Sequence, residues 1–154
     1  MNAIKKFSAG AWITCAVVIL SLAALIAYLV NVSAVGYFQG AGVHNLVLMV
    51  AAAAVLEAAA VALGFVKLPE NVFQLVSGVC QIAAPVLLMA GLINLIAARA
   101  EGLGFIYFSN ADVILEVQTP ENLASATGTI VNMILLAVAG ITGIVSAFFG
   151  LKKK

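Results

Sequence analysis

LVLMVAAAAVLEAAAVALGFV, residues 46–66, decides the class of this chain. It is apolar throughout except for one acid, Glu57. Crossing ~30 Å of bilayer hydrocarbon takes about 20 helical residues, and the stretch is that long. Three further runs of the same kind occupy residues 9–30, 72–98 and 130–150. An ordinary soluble domain is roughly 45–50% apolar and 25% charged. Here the shares are 65% and 8%, too few charges to make a polar shell. The pattern predicts an all-α membrane protein, with residues 1–154 forming one integral domain around a left-handed four-helix transmembrane bundle.

The net charge of +1 hides an asymmetry. With the N-terminus inside, Lys5, Lys6, Lys67, Lys152, Lys153 and Lys154 all fall on the inner side. The other side carries Arg99 with Glu101, Asp112, Glu116 and Glu121. Basic residues mark the cytoplasmic side, so both termini are expected there, with outer loops at 31–45 and 99–129. A small, alanine-rich chain with lysine-marked topology suits a bacterial cytoplasmic membrane. The first apolar run has the basic start of a secretory signal but exceeds the 7–15 residues of a signal core, so it is expected to remain as a helix. Cys15 and Cys80 fall inside spans, where no disulfide framework is implied. Pro69-Glu70-Asn71 and Pro120-Glu121-Asn122 read as helix starts, the second capped by Thr119.

The outer loops hold the strongest non-helical signals. In the first, Gly36, Gly40 and Gly42 surround Tyr37 and Phe38, which read as interfacial anchors. His44 stands alone and reads as an interfacial or capping residue, not a metal ligand. In the second, Phe105-Ile106-Tyr107-Phe108 and Val113-Ile114-Leu115-Glu116-Val117 are rich in β-branched and aromatic residues. They flank Ser109-Asn110-Ala111-Asp112, which is turn chemistry. A small extracytoplasmic β-hairpin is the expectation, packed as a lid and offering Tyr107, Phe108 and Glu116 as a contact surface.

Glu57 is the anomaly within the membrane. It lies roughly 13 Å from the inner end of its span, at 1.5 Å per residue. An acid at such depth costs about 2.5–3.5 kcal/mol on insertion scales, which calls for a partner, a wet cavity or protonation. Counted from the inner boundary, Gln81 and Thr142 reach the same depth and are the expected hydrogen-bond partners. Pro85 follows one turn beyond Gln81 and frees that residue's carbonyl. Asn94, Asn132 and Thr14 fall toward the ends of the spans, so the middle layer is otherwise expected to be dry. Ala139, Gly143 and Ala147 recur at four-residue spacing and predict close helix packing.

No HExxH, GxSxG, CxxC or Walker sequence occurs, so no enzyme, cofactor or metal site is expected. Lys152, Lys153 and Lys154 form a short tail facing anionic lipid, not a nucleic-acid patch. The loop proportions are those of tetraspan membrane proteins. The cysteine-glycine signature of tetraspanins and the Trp and cysteine pattern of claudins are absent, and topology alone does not make a family member. The residues point first to a non-enzymatic accessory or scaffold subunit, self-associating or bound to another membrane protein. The alternative is a proton-coupled transporter or channel subunit that uses Glu57.

Overall fold

The computed structural model describes residues 8–66 and 68–151, among which there are five helices and no strand. Four are long: α1 (Ala9–Ser33), α2 (Leu46–Leu63), α3 (Glu70–Phe108) and α5 (Pro120–Ser146). A short helix, α4 (Ala111–Val117), joins α3 to α5. Each long helix is long and apolar enough to cross a membrane. The lysines that marked the inner side lie outside the described residues. The bundle has a terminal end, where α1 starts and α5 finishes, and a loop end, which holds the α1–α2 loop and α4.

The four long helices pack as a ring. α1 lies against α2 and α5, and α3 lies against the same two, which puts α2 and α5 on one diagonal. Small and medium side chains fill the middle, among them Val17, Ala24, Ala53, Ala84, Leu88, Leu136 and Ala139. The outward faces are apolar too: Ile19, Leu48, Leu75, Ile82 and Ile93 are all exposed. Helices surrounded by lipid gain nothing from a polar outer face, and close packing of small residues holds them together.

Helix ends follow the local chemistry. Ser8 accepts from the Ala11 N–H at 3.1 Å, and its hydroxyl donates to the Gly150 carbonyl at 2.7 Å. One side chain thus caps α1 and ties it to the segment after α5. The Thr119 hydroxyl accepts from the Asn122 N–H at 3.3 Å with Pro120 in the first turn, as its sequence predicts. Such caps are worth about 1 kcal/mol each.

The expected β-hairpin is not there. Residues 105–108 continue α3, and residues 111–117 form α4. β-propensity describes how a residue fits a half-buried pleated surface, and packing context overrides it. Arg99, Gly102 and Ile106 are buried at helical spacing, and Ile106 packs with Phe38 of the α1–α2 loop and Ala126 of α5. That contact favours carrying α3 past the hydrocarbon: at 1.5 Å per residue its 39 residues run ~58 Å. Asn110 then starts a new helix, its Oδ1 accepting from the Val113 N–H at 3.0 Å. The Gln118 amide donates to the Ile106 carbonyl at 3.0 Å, and the Asn122 amide to the Val117 carbonyl at 2.9 Å. The expected outer loop at 99–129 is thus almost wholly helical, and α5 begins ten residues before its apolar run.

Candidate functional site

Alanine is the strongest helix former, so the Ala-rich run around Glu57 gives an uninterrupted α2. The buried residues of α2 are Leu46, Val50, Ala53, Ala54, Glu57 and Ala60, a helical stripe that faces the bundle axis. Glu57 belongs to that stripe and is 0% exposed. Its alanine neighbours are too short to reach the carboxyl. Across the diagonal stands Gly143 of α5, where a Cβ would lie 3.7 Å from Glu57 Oε1. The same point is 3.6 Å from Val17 of α1 and 3.1 Å from Pro85 of α3. All four long helices therefore meet around the carboxyl. Neither of its oxygens has a hydrogen-bond partner.

Gln81 and Thr142, expected at this depth as partners of Glu57, each bond elsewhere. The Gln81 amide donates to the Thr14 hydroxyl at 3.4 Å and the Ser146 carbonyl at 3.3 Å. Thr14 in turn donates to the Gly10 carbonyl at 2.9 Å, and the Ser146 hydroxyl to the Gly143 carbonyl at 2.8 Å. Thr14, Gln81 and Ser146 precede or follow Val17, Pro85 and Gly143 by three or four residues. They form a clasp about one turn toward the terminal end. Thr142 is partly exposed and donates to the Val138 carbonyl at 2.7 Å. Pro85 has no N–H, so the Gln81 carbonyl loses its usual helical donor close to Glu57.

The middle layer is less dry than its sequence suggests. Ser21 of α1 lies four residues loopward of Val17, is 0% exposed, and has an unpartnered hydroxyl. Asn132 of α5 donates to the Ala24 carbonyl at 3.2 Å, while its Oδ1 is buried without a partner. Farther along the same seam, the Asn31 amide donates to the Ser125 carbonyl at 2.8 Å and accepts from the Thr129 hydroxyl at 3.1 Å. The signal was present as spacing. Thr14, Ser21, Tyr28 and Asn31 repeat along one face of α1, as do Ser125, Thr129 and Asn132 on α5.

The loop end is firmly fastened. The Arg99 guanidinium lies 4.4 Å over the Phe38 ring, and its Nη2 donates to the Ala41 carbonyl. Arg99 Nε is buried and unpartnered. The Tyr28 hydroxyl accepts from the Val43 N–H at 2.5 Å, and the Phe38 N–H donates to the Ser125 hydroxyl at 3.2 Å. Gly36 (φ 146°) adopts a backbone conformation that side chains disfavour, and a Cβ there would also meet the Glu121 carbonyl at 2.7 Å.

The remaining sequence-selected residues are dispersed. Tyr107 is half-buried against the Phe38–Ile106 cluster, while Phe108 and Glu116 are exposed. Ala139 and Gly143 lie inside the bundle, and Ala147 is exposed just past the end of α5. Ala147 helps line a groove of about 540 Å³ between α3 and α5, floored by Gln81 and Pro85. His44 is exposed beside the start of α2. No cluster of His, Cys, Asp or Glu able to hold a metal occurs among the described residues.

These features define a four-helix membrane protein with one unsatisfied acid at its axis. No family model, curated protein or solved structure matches the chain.

Proposed function

We propose that this protein is a proton-coupled transporter or channel subunit in which Glu57 gains and loses the proton. The observation that carries the reading is that both Glu57 oxygens are fully buried without a partner. A carboxylate needs donors and a neutral carboxyl needs an acceptor. With neither fixed in place, no hydrogen bond locks the protonation state. A purely structural acid is expected to engage a neighbouring amide, yet Gln81, one turn away, is spent on Thr14 and Ser146. We place both termini in the cytoplasm of a bacterial cell, on the lysine distribution alone.

The reading of an accessory or self-associating subunit has lost two of its sequence supports. No strand edge forms in residues 99–129, and Ala139 and Gly143 are buried within the bundle. It keeps one observation of its own: Phe108 and Leu115 are 86% and 84% exposed at the loop end. A partner membrane protein or a second copy of the chain would cover them there, beside Tyr107 and Glu116.

Reconstituted vesicles separate these readings. Proton flux that is present in the native protein and lost in Glu57→Gln, with the bundle intact, supports the first. Flux that persists in Glu57→Gln removes it. A second polypeptide that copurifies at fixed stoichiometry and is released by Tyr107→Ala or Glu116→Ala supports the other.

A further inference from the structure

Four of the five unpartnered buried side-chain atoms among the described residues fall in a row, with Arg99 Nε at the loop end standing apart. At the centre are the two Glu57 oxygens, level with Val17 of α1. Ser21 Oγ follows about one turn, ~6 Å, toward the loop end. Another ~4.5 Å along α1 is Ala24, whose carbonyl holds the Asn132 amide and so fixes the position of the unpartnered Asn132 Oδ1. Thr129 follows ~4.5 Å farther on α5, then Ser125 after ~6 Å. At this level lies a crevice of about 300 Å³ between α1 and α5, where Asn31, Ser125 and Gly128 stand among mostly apolar residues such as Val30, Val35 and Val131. Measured along the helix axes, these rises are comparable to the span one water bridges with two hydrogen bonds of ~2.8 Å.

Toward the terminal end the pattern reverses. The Gln81 amide is spent on the Thr14 hydroxyl and the Ser146 carbonyl, and the Thr14 and Ser146 hydroxyls on the Gly10 and Gly143 carbonyls. Beyond them Ala11, Ala60, Phe73, Cys80 and Leu151 pack as an apolar plug. The unpartnered polar atoms flanking the carboxyl, Ser21 Oγ and Asn132 Oδ1, thus lie on the loop side, and Thr129 and Ser125, both bonded to Asn31, continue the polar seam beyond them.

We propose that a file of internal water runs along the α1–α5 seam from the loop-end crevice to Glu57. The carboxyl then exchanges its proton with the solution on the loop side and not on the terminal side. Asn132 and Ser21 are positioning residues that hold the file, and they do not take up the proton themselves. This inference rests on the reading of Glu57 as a titrating group. Around Glu57, α1 presents Val17, α5 presents Gly143 and α3 presents Pro85, and the titratable group of α3 nearest to Pro85 along the chain is the Cys80 thiol, buried beside Gln81.

The test uses the full chain inserted in vesicles in one orientation, fixed by protease accessibility of a terminal tag. Infrared difference spectroscopy follows the carboxyl band that Glu57→Gln removes, after a pH step on one side only. The band is expected to follow the loop-side step and ignore the other. Ser21→Ala and Asn132→Leu are each expected to slow the response about tenfold, the worth of one bridging hydrogen bond. A band that follows the terminal side, or one that neither variant slows, overturns the path while leaving Glu57 as a titrating group. A band that answers neither side overturns the path and the underlying reading together. Ser21→Ala, a one-atom deletion, carries the kinetic test if Asn132→Leu does not fold.

Discussion

Gly143 and Glu57 face each other across the α2–α5 diagonal, with room between them for one methyl and little more. A Cβ at position 143 would be 3.7 Å from Oε1 but only 3.1 Å from Pro85 Cβ. Gly143→Ala therefore makes one tight contact, and Gly143→Leu must displace either the carboxyl or α3. Overpacking of this kind costs about 1–3 kcal/mol, with the alanine variant at the low end and the leucine variant at or above the top. Thermal unfolding in detergent ranks them. Native-like stability of the leucine variant shows that α5 does not close on the carboxyl.

Stability and activity are expected to part company at Glu57 itself. A buried acid without a partner does not strengthen the bundle, so Glu57→Leu is predicted to leave the melting temperature unchanged or raise it. Replacing buried ionic groups with apolar ones of similar size is often neutral or stabilising by about 1–4 kcal/mol. Proton flux should be absent in both Glu57→Leu and Glu57→Gln. A leucine variant that unfolds several degrees earlier assigns the carboxyl a structural bond and counts against the transport reading.

Arg99 performs two contacts at once at the loop end. It lies over Phe38 and donates to the Ala41 carbonyl. A lysine offers a point charge without the planar fork and does not satisfy both contacts in one geometry. Arg99→Lys is predicted to cost about 1–2 kcal/mol, with much of the loss shared with Phe38→Leu. A double-mutant cycle measures that sharing. Strictly additive losses show that the guanidinium and the ring do not act together.

The exposed apolar side chains of the loop end are separable from the fold. Phe108 is at the end of α3 and Leu115 is on α4, where no residue is buried, so neither supports the fold. Phe108→Ser with Leu115→Ser should leave the unfolding free energy within about 0.5 kcal/mol of the native value, as surface changes do. If a partner docks there, the same pair releases it. Unchanged complex formation in a pull-down removes the loop end as a docking surface.

What could be read from the sequence divides along physical lines. The four spans declared themselves because the solvent is hydrocarbon, and a helix in hydrocarbon needs only length and apolarity. Thr119-Pro120 was equally plain, since capping is a local event between neighbours. Phe105-Ile106-Tyr107-Phe108 misled because its conformation is decided by Phe38, far away in sequence, which buries Ile106 on a helix. At the axis, depth counting placed Gln81 near Glu57 but carried no information on rotation about the helix. Rotation is what turned its amide toward Thr14 and Ser146. A single hydroxyl among apolar residues, as at Ser21, is unremarkable until its neighbours on α5 are known.

Asn31 and Gly128 give the sharpest test of the α1–α5 seam. The Asn31 amide donates to Ser125 and accepts from Thr129, and it lies directly over the position a Gly128 side chain would fill. Gly128→Ala pushes a methyl into that amide, so it must break one or both bonds or spread the helices. The expected loss is about 1–3 kcal/mol. Asn31→Ala removes the same bonds but makes room for the methyl, so Gly128→Ala should cost far less in that background. The double variant is therefore predicted to be more stable than the sum of the two losses by ~1 kcal/mol or more, the coupling expected of residues in contact. Simple additivity in unfolding measurements shows that α1 and α5 do not meet through this pair. The register that places Asn132 and Ser21 between the crevice and Glu57 then fails with it.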